Sequence, residues 1–316
     1  MEKITLKIAP DEDDVRIDRL LKRHFPMLSQ GSIEKSLRNG LIKLDNIKVP
    51  SNHRVKSEQT IEIAKILTEV EIANKPKPTI KISENSLKDL RNSIIFTNED
   101  MVVLNKPSGM ASQGGSKIKN SIDVAIKQLP EFKDAFPKLV HRLDKDTSGV
   151  MVLALNHFSA AKLAEGFKKK TINKKYLALV IGRPPKNEGV IDEPIAKISE
   201  NNYDKIKAVT TGDKAITYYK VIDSLSNKAS LIEFTPVTGR THQIRVHAKI
   251  LGTPIIGDIK YGYIDDSLNI PQNILHLHSA LIEIDDLRNK NYSFSAPLPK
   301  HMKESIKMLG LNRGKI

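Results

Sequence analysis

The stretch Val140-His141-Arg142-Leu143-Asp144-Lys145-Asp146-Thr147-Ser148-Gly149 runs directly into Val150-Met151-Val152-Leu153-Ala154-Leu155. The second half is a short unbroken apolar run and reads as a strand buried on both faces. The first half is a polar loop that such a strand would hold still, the arrangement in which a rigid scaffold displays reactive groups. A second junction of the same kind lies at Val237-Thr238-Gly239-Arg240-Thr241-His242-Gln243-Ile244-Arg245-Val246-His247. If this segment is extended, Ile244, Val246 and Ala248 share one side and Gln243, Arg245 and His247 the other.

Outward from these two junctions, strand-type runs occur at 93–96, 101–104, 176–180, 216–221, 229–234 and 281–284, with helical stretches at 121–128 and 158–168. This mixture predicts an α+β domain on a mixed, largely antiparallel sheet with flanking helices. Between 64 and 93 the periodicity fades, and Lys75-Pro76-Lys77-Pro78 favours extended, weakly packed chain. The N-terminal part has its own signals. Ile17, Leu20 and Leu21 form one helical face. A second helix starts at Ser29 or Ser32, buries Ile33 and Leu37, and ends near Asn39-Gly40. Residues 41–44 then form a strand, turn at Asp45-Asn46 and return over 47–49, and alternation resumes at 60–63. The expected organisation is a small α/β module over 1–66, a linker over 67–92 and a larger domain over 93–316.

The chain has 316 residues, and 51 Lys plus Arg against 37 Asp plus Glu leave a formal charge of +14. Such a surplus implies an anionic partner. With 39% hydrophobic and 28% charged residues it is too apolar for a disordered chain. No apolar run approaches the roughly 20 residues of a membrane span, and the N-terminus lacks a signal core. The expected compartment is the cytoplasm, and monomer is the default state. The absence of cysteine excludes disulfides, thiolate nucleophiles and thiolate metal sites. His242 and His247 are spaced for neither a helix face nor a strand face, and His276 and His278 lack a nearby carboxylate cluster, so no metal is expected. No GxxxxGKS/T occurs and no GxGxxG opens a helix, so no cofactor is expected.

These motifs resemble the RluA-type pseudouridine synthases, which isomerise uridine in RNA to its C-glycoside. The likeness rests on His141-Arg142-Leu143-Asp144 with Thr147-Ser148-Gly149, on Asn105-Lys106-Pro107-Ser108-Gly109, and on Lys175-Tyr176-Leu177-Ala178. It extends through Gly239 to His247, with Gly252, Pro254, Gly257-Asp258 and Tyr261-Gly262, in the family's order over 96–285. The N-terminal module is similar to the S4 RNA-binding domain in Arg16-Ile17-Asp18, the second helix, and 41–46 with Lys48. Basic residues punctuate it: Arg16, Arg19, Lys22, Arg23, Lys35, Arg38, Lys43, Lys48, Arg54 and Lys56. The combination matches the bacterial large-subunit rRNA members, the RluC and RluD group, with the RluC type favoured.

The resemblance implies a cofactor-free isomerase with Asp144 as the essential acid, acting as nucleophile or as proton acceptor. It pairs Arg245 with Asp144, holding the carboxylate ionised and aimed. It stacks Tyr176 on the target base and places Leu277 at the base pocket. Arg142, beside His141, fills the space left when the uridine leaves its stack. For Arg240, contact with phosphate and contact with solvent alone stay open. Asp146 is assigned no chemistry. The implied partner is RNA, 23S rRNA or a precursor of the large ribosomal subunit. The rivals are a non-catalytic rRNA-binding assembly factor and a metal-dependent nuclease.

Overall fold

The computed structural model describes residues 2–65, 67, 82–114, 120–200 and 203–312. The chain separates into two compact units, Met1–Thr79 and Ile80–Ile316. In the first, strands β1 (Lys3–Lys7), β2 (Ile42–Leu44) and β3 (Thr60–Ala64) form an antiparallel sheet in the order β1-β3-β2. Helices α1 (Ile17–His24) and α2 (Gln30–Asn39) enclose a core that includes Ile17, Leu20, Leu21, Ile33, Leu37, Ile42, Ile61 and Ile63. The Ser29 hydroxyl caps α2 by accepting from the Ser32 N–H at 3.1 Å.

The return strand expected at 47–49 does not form; only a single bridge joins Leu44 and Ile47. Asp45 and Asn46 both take positive φ, as the tight turn requires. The Asp45 carboxylate, however, accepts from the Thr60 N–H at 2.8 Å, which ties the turn to β3 instead. β1 was not foreseen.

The linker expected over 67–92 contains a helix, α3 (Glu84–Asn92), while 66 and 68–81, including the alternating prolines, lie outside the described residues. Ser83 caps α3, and Leu87 and Leu90, one turn apart, pack against the main core.

The second unit is α+β, as its sequence predicts. Its strands are β4 (Ile94–Thr97), β5 (Met101–Lys106), β6 (Lys138–Leu139), β7 (Ser148–Ala154), β8 (Asn173–Ile181), β9 (Glu188–Asp192), β10 (Ile195–Glu200), β11 (Tyr203–Ala208), β12 (Ile216–Leu225), β13 (Ala229–Pro236), β14 (Leu277–Leu287) and β15 (Lys290–Ser295). Its further helices are α4 (Ile122–Ala125), α5 (His157–Lys169), α6 (Gln243–Ile250) and α7 (Lys300–Met308). The central sheet runs β4-β5-β7-β14-β8-β13-β12-β9, with β15 on β14 and β6 on β7. Every pairing in it is antiparallel except β7 with β14. β10 and β11 form a separate hairpin.

Alternate residues of each strand feed opposite layers. Met151, Leu153, Tyr176, Ala178 and Leu277 face the layer that holds Ile244 and Ala248 of α6. Val150 and Val152 face Leu163 of α5, and Leu177 and Leu179 face the layer of Met302 from α7. The sheet is thus covered on both sides, and β7 is buried at all seven positions. Among the described residues no helix is long and apolar enough to cross a membrane.

The segment after Gly239 is a correction. It was expected to be extended, but Gln243–Ile250 is helical. Gln243 to Ala248 are all buried, so the helix shows no polar face from which its period could be read.

Candidate active site

The two polar junctions meet at one cleft of about 580 Å³. His141, Arg142, Asp144, Tyr176, Arg240, Arg245 and Leu277 all line it.

The Asp144 loop is built from below by the segment after β5. The Ser112 hydroxyl donates to the Leu143 carbonyl at 2.7 Å and accepts from the Leu143 N–H at 3.0 Å. The Ser108 hydroxyl donates to the Asp146 carbonyl at 2.8 Å, and the Gly109 N–H to that of Lys145 at 3.0 Å. Lys106 is fully buried, and its Nζ donates to the carbonyls of Pro107, Met110 and Lys145 at 2.9, 2.7 and 2.9 Å. Burial pushes its ammonium down to about 7, against the pull of Asp146 and Asp144. Three carbonyl acceptors nevertheless match the three donors of the protonated form. The motif around Lys106 is therefore the floor of the acid's loop. At the far end of that loop Gly149 has φ +110°, and a Cβ there would stand 2.1 Å from the Ser279 carbonyl oxygen. Only glycine lets β7 approach β14 this closely.

The opposite wall is the start of α6. Gln243 pins it, accepting from the Thr238 hydroxyl and the Arg240 N–H while donating to the Ile216 carbonyl and the Thr217 hydroxyl, all within 3.0 Å. Arg245 is aimed from the first turn. Its Nε and Nη2 each donate to Asp258 at 2.7 Å, and Nη1 stands 3.9 Å from Asp144 Oδ2. The expected pairing with Asp144 is therefore long, and the short partner is Asp258. Burial works most strongly against the guanidinium's charge, but the bond to Asp258 and the charges of Asp258 and Asp144 together raise its pKa. His242, in the left-handed region at φ 55°, places Nε2 at 3.9 Å from the same Asp144 oxygen. Burial lowers its pKa, opposed by Asp144.

The floor of the cleft is apolar. Tyr176 on β8 lies opposite Ser279, so Leu277 is its diagonal neighbour on β14 and the two share a face. Burial pushes the Tyr176 phenol up to about 12, so it stays neutral. At the rim Arg142 is exposed and has no ion-pair or hydrogen-bond partner among the described residues. His141 is committed elsewhere: Nε2 accepts from the Val152 N–H at 2.9 Å, and the ring stacks on Phe167 at 4.5 Å. Burial, with Lys174 nearby, pushes it down to about 3, which keeps that acceptor free of a proton. Arg240 is exposed and reaches the Lys214 carbonyl and Asp213, both at 3.4 Å.

Sequence reasoning quoted Asp258 within a motif but gave it no role, and it missed His242 as a neighbour of Asp144 and the cations Lys168, Lys170 and Lys174 on the cleft wall. Lys174 was findable, because it lies two residues before Tyr176 and hence on the same strand face. Burial and then repulsion from Lys170 lower its pKa, and it has no hydrogen-bond or ion-pair partner among the described residues. A carboxylate, an aromatic ring and unpaired cations on one cleft are groups of the kind that can meet the ribose, base and phosphate of a nucleotide.

This fold and site are those of an enzyme acting on a nucleic-acid base. The chain belongs to the RNA pseudouridylate synthase family, whose sequence profile matches residues 100–249, and it is an RNA pseudouridine synthase, an isomerase. It is 41% identical to a protein of Rickettsia typhi named ribosomal large subunit pseudouridine synthase C, over 90% of this chain and 94% of that one. To the protein of the same name in Rickettsia conorii it is 46% identical, over 78% and 82%. Among solved structures it is similar to human RNA pseudouridylate synthase domain containing 4, at TM-score 0.61 and 29% identity, over 72% of this chain and 97% of that one.

Proposed function

We propose that this isomerase acts on 23S rRNA, naked or in a precursor of the large subunit, and that Asp144 is its essential acid. The relatives named as large-subunit enzymes support the substrate. The observation that carries the site assignment is the convergence of Asp144, Tyr176, Leu277 and Arg142 on one cleft with an unpaired lysine wall. Conversion of uridine breaks the bond from ribose C1′ to N1, turns the base, and joins C1′ to C5. C5 loses its proton and N1 gains one. Asp144 serves as nucleophile or proton acceptor, Tyr176 and Leu277 hold the base as it turns, and Arg142 fills the space it vacated. Arg245 keeps a positive charge beside the carboxylate. Lys170 and Lys174 receive backbone phosphate.

The N-terminal unit is read as an S4-like RNA-binding module. Several of its cations are engaged: Arg16 with Asp18, Arg54 with Asp14 and Lys22 with the carbonyls of Pro26 and Leu28. Arg19, Lys35, Arg38, Lys43 and Lys48 have no such partner among the described residues and are the phosphate contacts of this reading. The protein works in the cytoplasm as a monomer.

The test is to incubate large-subunit rRNA with the protein and map pseudouridine at single-nucleotide resolution. Product at discrete uridines with wild type and none with Asp144→Asn is expected. Product only in tRNA, or equal product from both proteins, overturns the substrate or the acid respectively.

A further inference from the structure

We propose that His242 is a positioning residue for this reaction: its Nε2–H holds Oδ2 of Asp144, leaving Oδ1 to meet the ribose. The inference rests on the reading of Asp144 as the essential acid.

The proton's place follows from hydrogen-bond bookkeeping on Tyr261. The Tyr261 hydroxyl oxygen accepts from the Ile206 N–H at 3.2 Å and lies 2.7 Å from His242 Nδ1. If Nδ1 carried the hydrogen, the same oxygen would accept twice and its own O–H would have no acceptor. The arrangement that satisfies every group has Tyr261 O–H donating to Nδ1. The proton of the neutral imidazole is then on Nε2, the nitrogen facing Asp144 at 3.9 Å. That distance is too long for a hydrogen bond in the free enzyme, and Arg245 Nη1 stands equally far from the same oxygen. Two donors thus face one carboxylate oxygen. A small movement of Asp144 on substrate binding, within the latitude of catalytic hydrogen bonds in empty sites, brings it onto both.

Neither donor is free to follow another partner. Arg245 is held by Asp258, and its guanidinium carbon also lies over the Tyr261 ring, 5.1 Å from the centroid. His242 is held by Tyr261, which is itself buried and packs with Ile195, Ala215 and Val246. The groups that face the His242 imidazole are Asp144, Arg245, Lys260, Asp258 and Tyr261. Through Ile206 the same tyrosine is tied to the β10–β11 hairpin.

The geometry distinguishes two amides. A glutamine at 242 puts its amide N–H where Nε2 lies, whereas an asparagine reaches only as far as Nδ1. Asparagine is the side chain better suited to the left-handed backbone at this position, so its failure would not be a backbone effect. His242→Gln is expected to keep kcat within about 5-fold of wild type, and His242→Asn and His242→Phe to lose about 10- to 100-fold, the worth of a hydrogen bond to a charged group. KM and RNA affinity should hold within about 3-fold in all three, since the donor meets the acid and not the RNA. Tyr261→Phe, which frees the imidazole to change tautomer, should lower kcat in the same direction while His242→Gln in that background regains activity. Wild type and Asp144→Asn are run alongside on the same rRNA, with thermal unfolding of each variant. An inactive wild type, or an active Asp144→Asn, defeats the underlying reading and this inference with it. An active wild type with His242→Asn and His242→Phe at wild-type kcat, or with all three variants equally impaired, overturns the inference alone.

Discussion

Arg245 directs both bonds of its guanidinium fork at Asp258, each 2.7 Å, and stands 3.9 Å from Asp144. The buried cation of the cleft is therefore fixed by a carboxylate that takes no part in the chemistry proposed for Asp144. Asp258 is itself set by the N–H groups of Lys260 and Tyr261, which donate to its Oδ1 at 3.0 and 3.1 Å. Asp258→Asn removes the charge and turns one acceptor into a donor. Loss of one partner of a buried pair costs about 3–5 kcal/mol. Without its fork partner Arg245 is expected to lose its fixed aim at Asp144, which reduces kcat more than KM. Urea unfolding and single-turnover kinetics check both, and a variant with unchanged stability contradicts the role assigned to the pair.

Lys106→Met is expected to destabilise the second unit by about 2–4 kcal/mol, because three carbonyls lose their shared donor inside the fold. Below its unfolding temperature the variant should retain turnover, the lysine meeting only backbone. Calorimetry with an activity assay at low temperature distinguishes this from a catalytic role.

Lys174→Met and Arg142→Ala should both weaken RNA binding, measured in the Asp144→Asn background to exclude turnover. Each lost phosphate contact lowers the salt slope of log K by roughly 0.7 on a single strand. Lys174→Met is expected to show that change. With Asp144 intact, Arg142→Ala should in addition lower kcat on folded RNA and leave turnover of a single-stranded uridine oligomer nearly unaffected, because the latter has no stack to refill.

In the first unit, Lys35→Glu with Arg38→Glu should reduce affinity for 23S rRNA and flatten its salt dependence, while kcat on a short oligomer is unchanged. Titration of binding between low and high salt measures this. An unaltered slope removes the S4-like reading.

Three histidines make the fold sensitive to acid. Burial pushes His141 down to about 3 and His276 and His278 to about 4, against an ordinary value of 6.5. Above pH 6.5 the rings are neutral in folded and unfolded chains alike, and their contribution to stability is complete. As pH falls below 6.5 the unfolded chain takes up protons first, so stability is lost toward pH 4, by about 1.4 kcal/mol per unit for each ring. The rings serve structural bonds: His278 Nδ1 lies 2.9 Å from the Ser148 hydroxyl, and His276 Nε2 lies 2.9 Å from that of Ser305. Urea midpoints at pH 7 and pH 5 are the measurement, and equal midpoints contradict the assignment.

The chain's local chemistry determined a good part of this protein. Runs of neighbouring residues announced α1, α2, β7 and β8, because an amphipathic helix or a doubly buried strand is written in the order of its own side chains. The motif residues pointed to the cleft as well, because Asp144, Tyr176 and Arg245 stand in short stretches whose residue types are legible one by one, and all three line it. What the tertiary structure alone decided are relations between segments far apart. Buried at every position from Gln243 to Ala248, α6 has no polar face there to reveal its period. Asp258 becomes the partner of Arg245, and Tyr261 that of His242, only once the chain after α6 folds back on the start of that helix. The parallel pairing of β7 with β14 is likewise invisible in either strand, since it depends on a glycine meeting a carbonyl 130 residues later. Local periodicity reports what each residue buries, and only the closed fold reports against what.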